Sequence, residues 1–196
     1  MKEDYFDSEL KKGKTFVLLI RHGERIYIEG NKAAGLSLPG PGLSSKGKAQ
    51  AKFISEELSK LSKIDLLFSS SMTRSKETAE IISKKLGKKI IVLDDFQELN
   101  SKYEESLFKR FFCRDYWRMK RVSIKFNELL VNNPSKILTF ILHGRLIRDL
   151  FGNKLKISFE KRKDIVMNNC HITFLKFDKK KLETVYCVNS KYFDWN

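Results

Sequence analysis

Cysteine, histidine and proline are scarce in this sequence, and it has no long hydrophobic run. The chain has three cysteines, three histidines and three prolines in 196 residues. No Cys-x-x-Cys pair occurs, and an odd number of cysteines leaves one unpaired in any arrangement, which favours free thiols in a reducing cytoplasm. No apolar stretch approaches the roughly 20 residues that a membrane helix needs. We therefore expect a cytoplasmic protein with no part in a membrane.

Internal repeats and low-complexity linkers are also absent, and the length suits one well-buried core. We expect a single domain over residues 1–196, in which residues 1–14 form a loose polar lead-in. The first eight residues are charged and lack the apolar core of a secretory signal. The sequence predicts no export, and it makes no prediction about oligomeric state.

Acidic residues are outnumbered by basic ones, 24 against 39, for a net charge of +15. On charge alone, nucleic acid, acidic membranes and phosphorylated substrates are all possible partners. The lysines lie in scattered clusters, which favours a solvated surface over a dedicated polyanion site. Residues 109–121 mix cations with aromatics, but the helical spacing of the apolar residues predicts a core-facing stripe. Nucleic acid is therefore not the expected partner.

Apolar runs alternate with helical patterns along the chain. Ser44 has the character of a helix N-cap, and a long helix is predicted over about 105–131. Strands are predicted over residues 15–20, 64–68, 90–93, 137–142, 170–177 and 183–188. This alternation predicts an α/β fold of three layers, α/β/α, with a mostly parallel sheet covered by helices on both faces.

Two of the three histidines belong to short motifs that directly follow predicted strands. Residues 21–24 read Arg-His-Gly-Glu after the first strand, and residues 143–145 read His-Gly-Arg after the fourth. A lone histidine beside an apolar run is more often structural. Two histidines in the same setting, each with an arginine in its motif, favour a function. Because the carboxyl ends of parallel strands share one edge of a sheet, we expect His22 and His143 to meet there.

Four segments, in order, resemble the signatures of the histidine phosphatase superfamily, in its phosphoglycerate-mutase-like branch (branch 1). They are residues 21–24, 43–51, 68–79 and 143–144. Each segment alone is weak, but together they span most of the chain in the family's order. The resemblance implies a phosphatase that hydrolyses a phosphomonoester through a phosphohistidine, without a metal or other cofactor. It also implies a small phosphorylated substrate or a phosphoprotein as partner.

The resemblance implies a role for each matched residue. His22 is the expected nucleophile, Arg21 and Arg74 the expected phosphate ligands, and His143 and Gly144 complete the phosphate site. These residues suit the chemistry, because phosphoryl transfer is mainly a problem of positioning and charge neutralisation. Arg74 lies in the first turn of its predicted helix, where the helix dipole disfavours a cation, and a bound phosphate would offset that cost.

The reaction also needs an acid for the leaving oxygen, and in the family a carboxylate supplies it. Glu98 fits the setting best and is the expected proton donor. Glu104 and its neighbour Glu105 are alternates, and Glu24 is a weaker one. Arg145 and Arg148 are interpreted as solvated residues. His171 has Cys170 beside it but no second pair at metal-ligand spacing, so no metal site is predicted.

Two other functions stay open at this stage. The sequence lacks the Ser-x-Trp-Asn continuation of the cofactor-dependent phosphoglycerate mutases, and Arg-His-Gly-Glu-Arg resembles phosphatase members of the superfamily. Hydrolysis is therefore favoured over the mutase reaction. The alternative from another class is a phosphate-binding or polyanion-binding module with low activity.

Overall fold

A six-stranded sheet forms the centre of the computed structural model, which describes residues 3–27, 29, 39–61, 63–99 and 114–192. The strands are β1 (Thr15–Arg21), β2 (Leu66–Ser70), β3 (Ile90–Leu93), β4 (Ile137–Leu142), β5 (Ile172–Asp178) and β6 (Lys181–Ser190). They lie side by side in the order β3-β2-β4-β1-β5-β6. The first four in this order are mutually parallel, and β5 and β6 are antiparallel to their neighbours.

Helices cover both faces of the sheet, so the predicted α/β fold is confirmed. Side chains alternate between the faces along a strand, and β1 accordingly sends Val17 and Leu19 into one hydrophobic cluster and Phe16 and Leu18 into the other. The helices are α1 (Glu3–Lys11), α2 (Ser45–Ser59), α3 (Thr73–Leu86), α4 (Arg114–Val131), α5 (Gly144–Lys154) and α6 (Phe159–Arg162). The first cluster includes residues of α4 and α5, and the second includes residues of α1, α2 and α3.

Several local predictions can be compared directly with the structure. The Ser44 side chain accepts a hydrogen bond from Gly47 N at 3.0 Å, which confirms the predicted N-cap of α2. The long helix is described from Arg114 onward, and the predicted part before it lies outside the described residues. Cys170 and Cys187 are free thiols. Among the residues with an assigned structure, no helix is both long enough and apolar enough to cross a membrane.

The prediction of a loose lead-in over residues 1–14 is wrong for residues 3–11, which form α1. Phe6 and Leu10 are buried, and the Phe6 ring lies 4.8 Å from that of Phe16. Lys176 donates to Glu9 at 2.7 Å and ties the helix to β5. The sequence of α1 is mostly polar, so its apolar pair was not recognised. Phe6 and Leu10 are four residues apart and therefore lie on one face of the helix.

Replacing Phe6 with alanine should lower the free energy of unfolding by about 3 kcal/mol, because a buried aromatic ring would leave a cavity. Urea unfolding followed by circular dichroism measures this change. Asp7→Ala is the matched control, since Asp7 is exposed on the same helix. Equal stability of the two variants would contradict the packing of α1 against the sheet.

Candidate active site

The two predicted histidines come together at the carboxyl ends of β1 and β4. These strands pair in parallel with Arg21 opposite Leu142, so the next residue of each strand is a histidine. His22 N donates to Leu142 O at 2.9 Å, and the ring centroids of His22 and His143 are 5.1 Å apart. The sheet register therefore brings the two imidazoles side by side.

The His22 ring is buried, with 3% of its surface exposed, and both of its nitrogens have partners. Nδ1 donates to Gly23 O at 2.6 Å, and Nε2 accepts from Arg74 Nε at 2.9 Å. A carbonyl can only accept and a guanidinium can only donate, so these contacts select the neutral tautomer with its proton on Nδ1. Burial, followed by the charge of Arg74, holds the pKa of His22 well below its ordinary value. Nε2 therefore keeps its lone pair at neutral pH.

Arg74 and Arg21 supply two guanidinium groups beside this ring. Arg74 is the second residue of α3 and is 2% exposed. Burial lowers its pKa to about 10, so it stays charged at neutral pH. Arg21 donates through Nη1 to Met167 O at 2.6 Å. Arg74 Nη1 and Arg21 Nε are buried and have no partner within the described ranges, so both arginines have a donor to offer a phosphate oxygen.

His143 is fully buried and shares a hydrogen bond between Nε2 and Ser70 Oγ at 2.8 Å. Its Nδ1 has no partner in the part of the chain that the structure describes, which leaves this nitrogen for a ligand. Burial and the nearby His22 lower the pKa of His143 well below its usual range. Ser70 was not predicted to lie at the site, because the second strand was predicted to end at residue 68, whereas β2 continues to Ser70.

A glycine follows each of the two histidines, and both positions are closely packed. A Cβ at Gly144 would lie 3.2 Å from Arg21 Nε, so glycine at the start of α5 leaves room for the guanidinium. A Cβ at Gly23 would lie 2.5 Å from Gly47 O, where α2 packs on the loop after β1. These contacts explain the glycine that follows each histidine.

Glu98 follows β3 and is the predicted acid. It is partly buried, and burial raises its pKa against the opposing charges of Arg145 and Arg74. Arg118 donates to Glu98 O at 2.7 Å, and Arg145 donates to Leu99 O, so both arginines hold the backbone at this residue. The interpretation of Arg145 as a solvated residue is therefore wrong. Arg118 had no signal in the sequence beyond its position on a helix.

The other carboxylates differ from Glu98. Glu24 accepts from Ser44 Oγ at 3.0 Å and pairs with Lys46 Nζ at 3.0 Å. These contacts lower its pKa, which is unfavourable for a proton donor. Glu104 and Glu105 lie outside the described residues.

Arg25 adds a positive charge that the sequence analysis did not assign to the site. Its charge helps to lower the pKa values of His22 and Arg74, and its Nη1 is buried without a partner among the residues described. The second arginine of the Arg-His-Gly-Glu-Arg motif was the available signal. No group of three or more potential metal-ligating side chains occurs in the described segments. The site thus combines two neutral imidazoles with several guanidinium groups, which suits a phosphate dianion.

Comparison with known proteins places this geometry in context. Residues 17–109 match the family model of the histidine phosphatase superfamily (branch 1). The uncharacterized phosphatase PhoE of Bacillus subtilis is 30% identical over 149 residues, which cover 69% of this chain and 75% of that protein. Phosphoglycerate mutase-like protein 4 of Arabidopsis thaliana is 37% identical over 95 residues, which cover 48% of this chain and only 40% of that relative.

Solved structures agree on the fold. A mycobacterial glucosyl-3-phosphoglycerate phosphatase superposes with a TM-score of 0.71 at 20% sequence identity, covering 90% of this chain and 99% of that one. This chain and that structure therefore share an overall fold.

The neutral state of the buried histidines should make stability depend on pH. The unfolded chain binds protons below the ordinary histidine pKa of 6.5, while folded His143 stays neutral. Wild type should therefore lose stability relative to His143→Gln as pH falls below 6.5, by up to about 1.4 kcal/mol per pH unit. Urea unfolding of both proteins across this range measures the difference. A constant difference would contradict a depressed pKa.

Proposed function

The chain belongs to the histidine phosphatase superfamily, branch 1, and from that membership we propose that it hydrolyses a phosphomonoester through a phosphohistidine on His22. The observation that carries the proposal is the buried His22 ring, whose unprotonated Nε2 contacts Arg74. Phosphatases among its relatives and structural neighbours support the reaction class.

In the first step, the His22 Nε2 lone pair attacks phosphorus and the bond from phosphorus to the ester oxygen breaks. Arg74 turns donors toward the phosphate oxygens, and Arg21 and His143 Nδ1 contribute further contacts. Glu98, as the neutral acid, gives its proton to the leaving oxygen. The products of this step are an alcohol, a phosphohistidine and the Glu98 carboxylate.

In the second step, the Glu98 carboxylate takes a proton from a water molecule whose oxygen attacks the phosphohistidine. The bond from nitrogen to phosphorus breaks, and its electron pair returns to His22 Nε2. The sum of both steps consumes one ester and one water and releases an alcohol and inorganic phosphate. Burial supports both roles of Glu98, because a raised pKa favours the protonated acid in the first step and makes the carboxylate a stronger base in the second.

The proposed substrate is a small phosphorylated molecule or a phosphoprotein. The guanidinium groups around His22 favour a dianionic phosphate, and this chemistry requires no cofactor. The cytoplasmic location expected from the cysteines also belongs to the proposal.

Loss of His22 should remove turnover and the covalent intermediate together. Wild type is expected to hydrolyse para-nitrophenyl phosphate and to trap acid-labile phosphate, whereas His22→Ala does neither.

Arg74→Lys should lose most of the activity, because a lysine cannot reproduce the planar fork. Its control is Arg121→Lys, at an exposed arginine paired with Asp95. Activity should also survive chelation by EDTA.

Turnover by folded His22→Ala, or phosphate trapped on another residue, would contradict the assignment of the nucleophile. Circular dichroism of each variant separates a loss of chemistry from a loss of fold.

Replacing Glu98 with glutamine should slow phosphoenzyme formation, and the loss should be larger for substrates whose leaving oxygen needs an acid. The loss should be small with para-nitrophenyl phosphate and roughly 100-fold or more with an alkyl phosphate, whose leaving oxygen must be protonated. Single-turnover kinetics measures this step apart from hydrolysis of the intermediate. With the alkyl phosphate, the wild-type rate should fall as pH rises through the raised pKa of Glu98, and the variant should lack this limb. Equal losses on both substrates would argue against Glu98 as the acid.

A further inference from the structure

The backbone of His22 receives support from both neighbours of β1. On the β4 side, His22 N donates to Leu142 O and so continues the parallel ladder. On the β5 side, the paired register ends at Ile20 opposite Ile172. The last carbonyls of β1 thus need donors from the chain that precedes β5.

Residues 167–170 supply these donors and one acceptor. Cys170 N donates to Arg21 O at 2.9 Å, and Asn169 Nδ2 donates to His22 O at 2.8 Å. In return, Met167 O accepts from the Arg21 guanidinium. The side-chain amide of Asn169 therefore takes the place of a ladder N–H and extends the hydrogen bonding of the sheet to His22 itself.

The segment that carries Asn169 is itself fixed. Cys170 adopts a φ of +54°, a left-handed conformation that is uncommon for a residue with a side chain. Asn168 N donates to Asn189 Oδ1 at 2.6 Å, which anchors the segment to β6. The amide of Asn169 is thus presented from a backbone held at both ends.

The hydrogen bond from Asn169 Nδ2 to His22 O restrains the peptide that joins His22 to Gly23. This peptide contains the carbonyl of His22 and the N–H of Gly23, and that N–H donates to Thr78 Oγ1 at 3.0 Å. Asn169 and Thr78 therefore hold the two sides of the same peptide. Rotation of this peptide would displace Gly23, whose own carbonyl accepts the proton on His22 Nδ1.

We infer that Asn169 is a positioning residue for the nucleophile: through the peptide that follows His22, it maintains the contact from Nδ1 to Gly23 O that leaves Nε2 unprotonated. The inference rests on the proposed role of His22. It requires a donor at position 169, because a carbonyl oxygen cannot bond to a carboxylate.

The test compares Asn169→Ala and Asn169→Asp with Asn168→Ala. Asn169→Asp keeps the size of the side chain but loses the donor, and Asn168 is an exposed neighbour whose anchoring contact is made by its backbone. We expect phosphoenzyme formation by both Asn169 variants to fall roughly 10-fold to 100-fold. The KM and the inhibition constant of inorganic phosphate should stay close to wild type, since the arginines that hold phosphate are unchanged. Asn168→Ala should behave as wild type.

Two readouts separate positioning from general damage. In ¹⁵N-histidine NMR spectra, wild type should show His22 protonated on Nδ1, and Asn169→Ala should shift protons toward Nε2. Asn169→Asp adds a negative charge near His22, so the acidic limb of its kcat/KM profile should move to higher pH.

Unchanged phosphoenzyme formation in the Asn169 variants, or a loss with an unchanged His22 tautomer, would overturn the inference. An inactive wild type without a phosphoenzyme would contradict the proposed function instead. In that case the tautomer comparison between wild type and Asn169→Ala still decides whether Asn169 positions His22.

Discussion

The hydrogen bond from Arg74 Nε to His22 Nε2 is the contact on which the site depends. An imidazolium could not accept it, so the bond is compatible only with a neutral ring that is unprotonated on Nε2. Arg74 is buried at the start of α3, where the helix dipole opposes its charge. A phosphate anion in the site would relieve both costs. The unfavourable position of the Arg74 cation is thus linked to the nucleophilic role proposed for His22.

The parallel strands bring the other groups to the same place. Arg21 ends β1 and His22 follows it, His143 follows β4, Ser70 ends β2, and Glu98 follows β3. Because these strands are neighbours in the sheet, short segments after each one converge at a single edge. The helices on the two faces bury the strands, and α3 and α5 begin at the site. The fold therefore brings together residues that are distant in sequence.

The sequence allowed the centre of the site to be predicted, but little of what supports it. His22 and His143 could be placed because a histidine after each of two neighbouring parallel strands must lie at one edge. Arg145 and Asn169 could not, because each donates to a backbone carbonyl on a distant segment. Any residue can supply a backbone carbonyl, so the sequence does not show which side chain will donate to it. Helix α1 was missed for a different reason, since its buried apolar residues Phe6 and Leu10 stand among charged ones.

A crystal structure of the protein with orthovanadate would show whether His22 Nε2 is the attacking atom. Vanadate adopts the five-coordinate geometry of a transferring phosphoryl group. We expect a bond from vanadium to His22 Nε2, with the guanidinium groups of Arg21 and Arg74 on the equatorial oxygens and Glu98 beside the apical oxygen opposite His22. Vanadate bonded to another side chain, or bound with His22 Nε2 still held by Arg74 alone, would contradict this expectation.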